Sequence, residues 1–177
     1  MIEYAFGEGE LVKFVVGCDF AEFKRYLRRI GLYNEEGELE KLETLLMNKL
    51  LNLIVWRENG EIIGHAIWHE TNTEEHRKGD PRDKEDRETL ERLLGAKKDF
   101  VELHEVWLTE EHRGKGYGKR FFEFFEEYMR DKGYDRIVFY AHHPAALAIC
   151  RKQRYKEGGS VCVDGVAEYV FYLPLKK

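Results

Sequence analysis

The sequence predicts one α/β domain, built on a mixed and only partly parallel sheet with helices against it. Three observations carry this. Strand-like and helix-like spacing alternate in the order strand, two helices, strand hairpin, strand, helix, strand, helix, strand hairpin. The chain has 177 residues, the span of a single domain. Of these, 43% are hydrophobic and 14% aromatic, which is enough to fill one core and excludes a disordered chain.

Each element has its own signal. Residues 11–16 (Leu-Val-Lys-Phe-Val-Val) read as the first strand. Asp19 can cap a helix carrying Phe20, Phe23, Tyr26, Leu27 and Ile30 at helical spacing, with Gly31 as its stop. Residues 38–50 repeat that spacing through Leu39, Leu42, Leu45, Leu46 and Leu50. Residues 51–57 and 61–70 read as two strands around Asn59-Gly60, a hairpin dipeptide because both residues tolerate positive φ. Residues 72–99 interrupt this pattern. Asp80 and Pro81 suit the N-cap and first position of a short helix. That helix would be supported by the pairs Asp83/Arg87 and Glu88/Arg92, given an apolar edge by Leu90, Leu93 and Leu94, and stopped at Gly95. The segment is close to neutral and reads either as a solvated connector or as a lid over a substrate site. Residues 100–108 form a strand, 113–118 a glycine-rich turn, and 117–132 a helix burying Phe121, Phe124, Phe125, Tyr128 and Met129 before Gly133. A strand at 135–141, a helix from Pro144 to about Gln153, and a hairpin of 161–163 with 166–173 around Asp164-Gly165 complete the chain.

Composition narrows the function. Charged residues make up 36% of the chain, but the balance is acidic at −5, which argues against a dedicated nucleic-acid binder. No run approaches the ~20 apolar residues of a membrane span, so a membrane partner is not expected. The start, Met1-Ile2-Glu3-Tyr4, has no basic or apolar leader pattern. Cys18, Cys150 and Cys162 are odd in number and widely spaced, forming neither a metal-type pair nor a disulfide framework. No metal is expected, Cys18 and Cys162 are expected in the core, and a reducing cytoplasm is the expected setting. Trp56, Trp68 and Trp107 read as strand packing, with Trp68 a candidate for a pocket wall.

The chemistry concentrates in Arg113-Gly114-Lys115-Gly116-Tyr117-Gly118, which follows a strand and opens a helix. Helix amides and dipole favour an anion there, glycines let a phosphate approach the backbone, and Lys115, Lys119 and Arg120 can add charge. The spacing is neither a Walker A loop nor the dinucleotide G-x-G-x-x-G, and a purely structural turn is the competing reading.

Arg113-x-x-Gly116-x-Gly118 resembles the acyl-CoA pyrophosphate loop of the GNAT superfamily of N-acetyltransferases, Q/R-x-x-G-x-G/A. Val106-x-Leu108 is similar to the strand end that precedes it in that family. His143-x-x-Ala146-x-x-x-Cys150-x-Lys152-x-Arg154-Tyr155 keeps the spacing of the family's N-x-x-A-x-x-x-Y-x-K-x-G-F, with His for Asn, Cys for Tyr, Arg for Gly and Tyr for Phe. The resemblance is close over 100–157, looser over 51–70 and 160–173, and only topological over 1–50; 72–99 lies outside the family core.

The resemblance implies a splayed central sheet with the pantetheine arm of acetyl-CoA between its fourth and fifth strands. It implies acetyl transfer to a primary amine, of a small molecule or peptide, by direct attack in a ternary complex. The backbone of Val106 and Leu108 would hold pantetheine, and Arg113, Gly114, Lys115, Gly116, Tyr117, Gly118 and Lys119 the pyrophosphate. A homodimer is among the assemblies relatives adopt. The chemistry needs a base, because an alkyl ammonium has a pKa of about 10.4 and attacks only after losing its proton. Candidates lie on the 100–108 strand. Glu102 and His104 share one face with Val106 and Leu108, and Glu105 takes the other. Glu102 is preferred, since it resembles in position a base used by some family members, with His104, Glu105 or water as alternatives. The competing reading pairs Glu102 or Glu105 with a nearby Arg or Lys. His142 and His143 end the next strand, where one can contact CoA or relay a proton, or simply cap the strand end. Cys150 stands where the family's tyrosine protonates the leaving thiolate. It reads as a packing residue or, alternatively, a covalent nucleophile, leaving the proton to Tyr140, Tyr155 or water. Arg151 and Lys152 are either a solvated face or neighbours of the CoA 3′-phosphate. Two rival functions stay open: a non-catalytic acyl-CoA sensor or binding module, and an acyltransferase with another acyl group or a hydroxyl acceptor.

Overall fold

A computed structural model describes residues 2–5, 11–163 and 165–175. The strands are β1 (Ile2–Ala5), β2 (Val12–Val16), β3 (Asn52–Glu58), β4 (Glu61–Asn72), β5 (Asp99–Leu108), β6 (Arg136–Ala141), β7 (Lys156–Val163) and β8 (Val166–Pro174). The helices are α1 (Phe20–Ile30), α2 (Glu38–Met47), α3 (Asp83–Leu94), α4 (Tyr117–Asp131) and α5 (Pro144–Lys152). The strands hydrogen-bond in the order β1-β2-β3-β4-β5-β6-β8-β7. The sheet is mixed, as predicted: β1 to β4 run antiparallel, β5 and β6 parallel, and β6, β8 and β7 antiparallel. The parallel pairing of β5 with β6 covers only 101–103 against 137–139, the partial pairing of a splayed sheet. The strand expected first is β2, because residues 2–5 add an unforeseen strand. No helix among the described residues is long and apolar enough to cross a membrane.

The chain divides into two compact units. The first comprises residues 1–69 and 105–117. Its core joins Val15, Phe23, Leu27, Leu42, Val55 and Ile67. Local sequence explains its helices. The Asp19 carboxylate accepts the Glu22 amide at 3.0 Å, and Gly31 closes α1 in a left-handed turn. α2 stops at Met47, three residues short of expectation, because Lys49 turns left-handed and the Leu50 amide bonds the Leu45 carbonyl. Met47 and Leu50 are consequently exposed. Asn59 and Gly60 both take positive φ in the β3–β4 hairpin, as their residue types require. Gly64 serves packing instead: a Cβ there would lie 2.7 Å from the Trp107 carbonyl oxygen.

The second unit comprises residues 70–104 and 118–177. In it, α4 buries the five predicted residues and also Phe122, which meets Phe139 and Tyr155 edge-on. α3 begins at Asp83, not at Pro81. The Asp80 carboxylate accepts the Arg82 amide and guanidinium, making a local turn in place of a cap. Asp83 pairs with Arg87 as expected, while Glu88 faces Lys84. The segment is not merely a solvated connector: Leu90 is buried in a cluster with Phe100, Val138, Val161 and Val170. Leu93 packs so closely on β7 that a Cβ at Gly158 would overlap it, at 2.1 Å. β7 starts five residues earlier than predicted, since its bulge at Glu157/Ser160 and the two glycines there hide the alternation. Gly165 takes positive φ in the last hairpin, and Asp164 lies outside the described residues. Cys162 is exposed, contrary to expectation, because it alternates with buried Val161. Cys18 is half-buried, its thiol donating to the Asp19 carbonyl. Trp56 and Trp68 are core residues, and Trp107 is half-buried.

Candidate functional site

The phosphate-type loop begins where β5 ends. The Thr109 amide bonds the Ile63 carbonyl, and a short 3-10 turn, Glu110–His112, follows. Gly114 and Gly116 have φ of 76° and 83°, and a Cβ on either would meet nothing within 4 Å. Glycine is needed there for backbone conformation, not for packing. Gly118 differs: its φ is not positive, and a Cβ would sit 3.2 Å from Ile149, so its smallness serves packing against α5. The Arg113 guanidinium turns back to the strand end, donating to the Leu108 carbonyl at 2.9 Å and covering the Trp107 ring. Its amide is committed as well, donating to the Glu110 carbonyl at 3.1 Å. Lys115 and Lys119 are exposed, Lys119 3.3 Å from Glu123.

Glu58, the last residue of β3, holds both flanks of this loop. One carboxylate oxygen accepts the Tyr117 hydroxyl at 3.0 Å, and the other meets His112 Nε2 at 3.0 Å. The His112 Nδ1 faces the Thr109 hydroxyl at 2.7 Å. The Tyr117 hydroxyl foremost, with His112 and Lys115, holds the Glu58 carboxyl below its ordinary range. Sequence reasoning missed Glu58 and His112, which are separated by more than fifty positions and share no motif.

The two glutamates of β5 have different surroundings. In the first unit, Glu105 is 27% exposed and accepts from Tyr33 at 2.9 Å and from His65 Nε2. His65 is fully buried, and its Nδ1 faces the Tyr26 hydroxyl at 3.1 Å. An imidazole that donates from Nε2 and accepts at Nδ1 satisfies both contacts. Burial pushes both tyrosine hydroxyls up, so they remain donors. Histidine and tyrosine hold this carboxylate, where the sequence had suggested Arg or Lys. A clue was present: His65 is the polar residue inside Ile62-Ile63-Gly64-His65-Ala66-Ile67.

In the second unit, Glu102 is 3% exposed and accepts from His76 Nε2 at 2.8 Å. His76 Nδ1 meets Asp86, which also accepts the Tyr140 hydroxyl. Both ring nitrogens face carboxylates and must both donate, so the ring is an imidazolium. Burial alone would lower its pKa, but hydrogen bonds to Asp86 and Glu102 outweigh that and raise it to about 9. Tyr140 stacks on His76, and Arg77 covers the Tyr140 ring at 4.7 Å. His104 is half exposed, 3.8 Å from Glu102.

The remaining candidates resolve into local roles. His143 caps α5, its Nδ1 accepting the Ala145 amide at 3.2 Å. His142 is exposed, 3.7 Å from Glu168. Cys150 is fully buried and its thiol is pushed up to about 12 by burial, so it holds no thiolate at neutral pH. Tyr155 donates to Glu126 at 2.8 Å and Tyr140 to Asp86, so both hydroxyl protons are already committed. Arg151 pairs with Glu157, and Lys152 is exposed.

The model of the acetyltransferase (GNAT) family matches residues 20–153. Among solved structures, the ribosomal-protein-S5-alanine acetyltransferase from Vibrio fischeri is 12% identical, covering 100% of this chain and 98% of that one, with a TM-score of 0.66. A phosphinothricin acetyltransferase from Sinorhizobium meliloti in complex with AcCoA is 16% identical, covering 93% and 89%, at 0.64. The polyamine N-acetyltransferase of Drosophila melanogaster, which forms N-acetylagmatine, is 14% identical, covering 91% and 99%, at 0.63. These likenesses concern the fold. Comparison with curated proteins returns no match.

Proposed function

The chain belongs to the acetyltransferase (GNAT) family, and on that premise we propose that it transfers an acetyl group from acetyl-CoA to a primary amine by direct attack. The observation that carries the reading is the loop at 113–118. Its two glycines are left-handed and exposed just before α4, where a pyrophosphate is favoured by amides and dipole. Gly114, Lys115, Gly116, Tyr117, Gly118 and Lys119 supply that subsite, Arg113 braces the strand end behind it, and the backbone of Val106 and Leu108 holds pantetheine. His143 is left as a helix cap whose ring can still meet the cofactor.

Of the three base candidates, Glu105 fits best. Glu102 is 3% exposed and held against His76, which leaves an incoming amine little access to it. Glu105 keeps some solvent access and is oriented by His65 and Tyr33. In the reaction, Glu105 takes a proton from the ammonium, directly or through water. The amine nitrogen bonds the thioester carbon, the carbon–sulfur bond breaks, and the second proton that the nitrogen sheds passes through water to the CoA thiolate. Cys150 serves neither as acid nor as nucleophile here.

The relatives' acceptors range from agmatine to a ribosomal protein's alanine. The acceptor class is therefore an amine of a small molecule or peptide, in the reducing cytoplasm expected from the cysteines. A second reading, an acyl-CoA-binding module, is favoured by one observation: the position of the family's acid tyrosine holds buried Cys150. Release of free CoA thiol, followed with acetyl-CoA and a panel of amines, separates the two. Amine-dependent steady release is expected. Binding of acetyl-CoA without release under every amine supports the module instead.

A further inference from the structure

We infer that Glu58 is a positioning residue for acyl-CoA, clamping both flanks of the 113–116 loop on one carboxylate. The inference rests on the reading of that loop as the pyrophosphate subsite. Glu58 is remote from the motif in sequence, at the end of β3, yet its two oxygens reach Tyr117 on one side of the loop and His112 on the other, each at 3.0 Å. His112 is itself held from behind by the Thr109 hydroxyl. Between these anchors lie Gly114 and Gly116, both left-handed and exposed. Glycines lose more backbone freedom on ordering than any other residue. A loop of this composition binds an anion tightly only if something orders it beforehand.

The residue type supports a geometric role over an electrostatic one. By charge alone, a carboxylate beside a phosphate site weakens binding. Glu58 is kept ionised by its hydrogen bonds and by Lys115, so that penalty is present and the clamp must exceed it. What the carboxylate offers is two acceptors at the reach needed to join both flanks.

Two variants separate reach from charge. Glu58→Asp keeps the charge and shortens the arm by one methylene. Glu58→Gln keeps the reach and removes the charge. It can still accept from Tyr117, and its amide can donate to His112, because the Thr109 hydroxyl accepts as readily as it donates and lets the ring change tautomer. The measurements are KM and kcat for acetyl-CoA at saturating amine, Kd by calorimetry, and thermal stability. Glu58→Asp is expected to raise KM and Kd roughly tenfold, the size of one lost hydrogen bond to a charged group. The effect falls on KM, with kcat within about twofold, and Glu58→Gln recovers most of the affinity. Glu58→Asp with wild-type KM, or Glu58→Gln as impaired as Glu58→Asp, overturns the clamp. Wild-type protein that binds no acetyl-CoA overturns the loop reading beneath it, a separate and recognisable result.

Discussion

Glu102 and Glu105 sit three positions apart on β5, and both meet a histidine, yet they face opposite chemistry. His76 is squeezed between two carboxylates and is a cation, so Glu102 is one half of a buried ion pair. His65 has one carboxylate and one phenol, and Glu105 at its outer end is held by hydrogen bonds while staying 27% exposed. The sequence made both glutamates visible as charges inside a strand, which are costly unless paired. It did not reveal the pairing, because His65 and His76 come from distant positions and the histidine of a charged segment carries no periodic signal. Resemblance to the family's base position favoured Glu102; burial against a cation moves the proposal to Glu105. Glu105→Gln is expected to lower kcat about a hundredfold at neutral pH. It should recover in part near pH 10, where more amine is already deprotonated. A pH–rate profile identical to wild type would move the base to His104, Glu102 or water.

At the scale of elements, the 72–99 segment shows what charge patterning hides. Its helix was legible from Leu90, Leu93, Leu94 and Gly95, but its start was not, because Asp80 bonds Arg82 instead of capping. Its weight lies in the buried trio of His76, Asp86 and Glu102 with half-buried Tyr140 stacked on it, and with Arg77 and Glu168 nearby. The folded protein holds the His76 proton up to about pH 9, against about 6.5 unfolded. Its contribution to stability is therefore whole below about pH 6.5 and is lost as pH rises through about 9. Urea unfolding of wild type and His76→Gln at pH 6 and pH 10 checks this. The gap between them should narrow by on the order of 3 kcal/mol at the higher pH. A constant gap contradicts the imidazolium.

At the scale of the whole molecule, the fold class was legible because strand and helix periods alternate cleanly and Asp19, Gly31, Asn59-Gly60 and Gly133 punctuate them. β1 and the first half of β7 were not, since the N-terminal strand is short and Gly158-Gly159 break the alternation. The loop at 113–118 was legible as a motif, but the division of labour among its glycines was not: backbone freedom at Gly114 and Gly116, packing at Gly118. The central claim is that this loop binds the pyrophosphate of acetyl-CoA. Calorimetric titration with acetyl-CoA tests it, with dephospho-CoA and ATP as comparison ligands and Gly116→Pro, which cannot adopt a φ of +83°, as the variant. Saturable acetyl-CoA binding by wild type, lost in folded Gly116→Pro, is the predicted result. No binding by folded, CoA-free wild type, or equal binding by the variant, would contradict the account and leave the loop a structural turn.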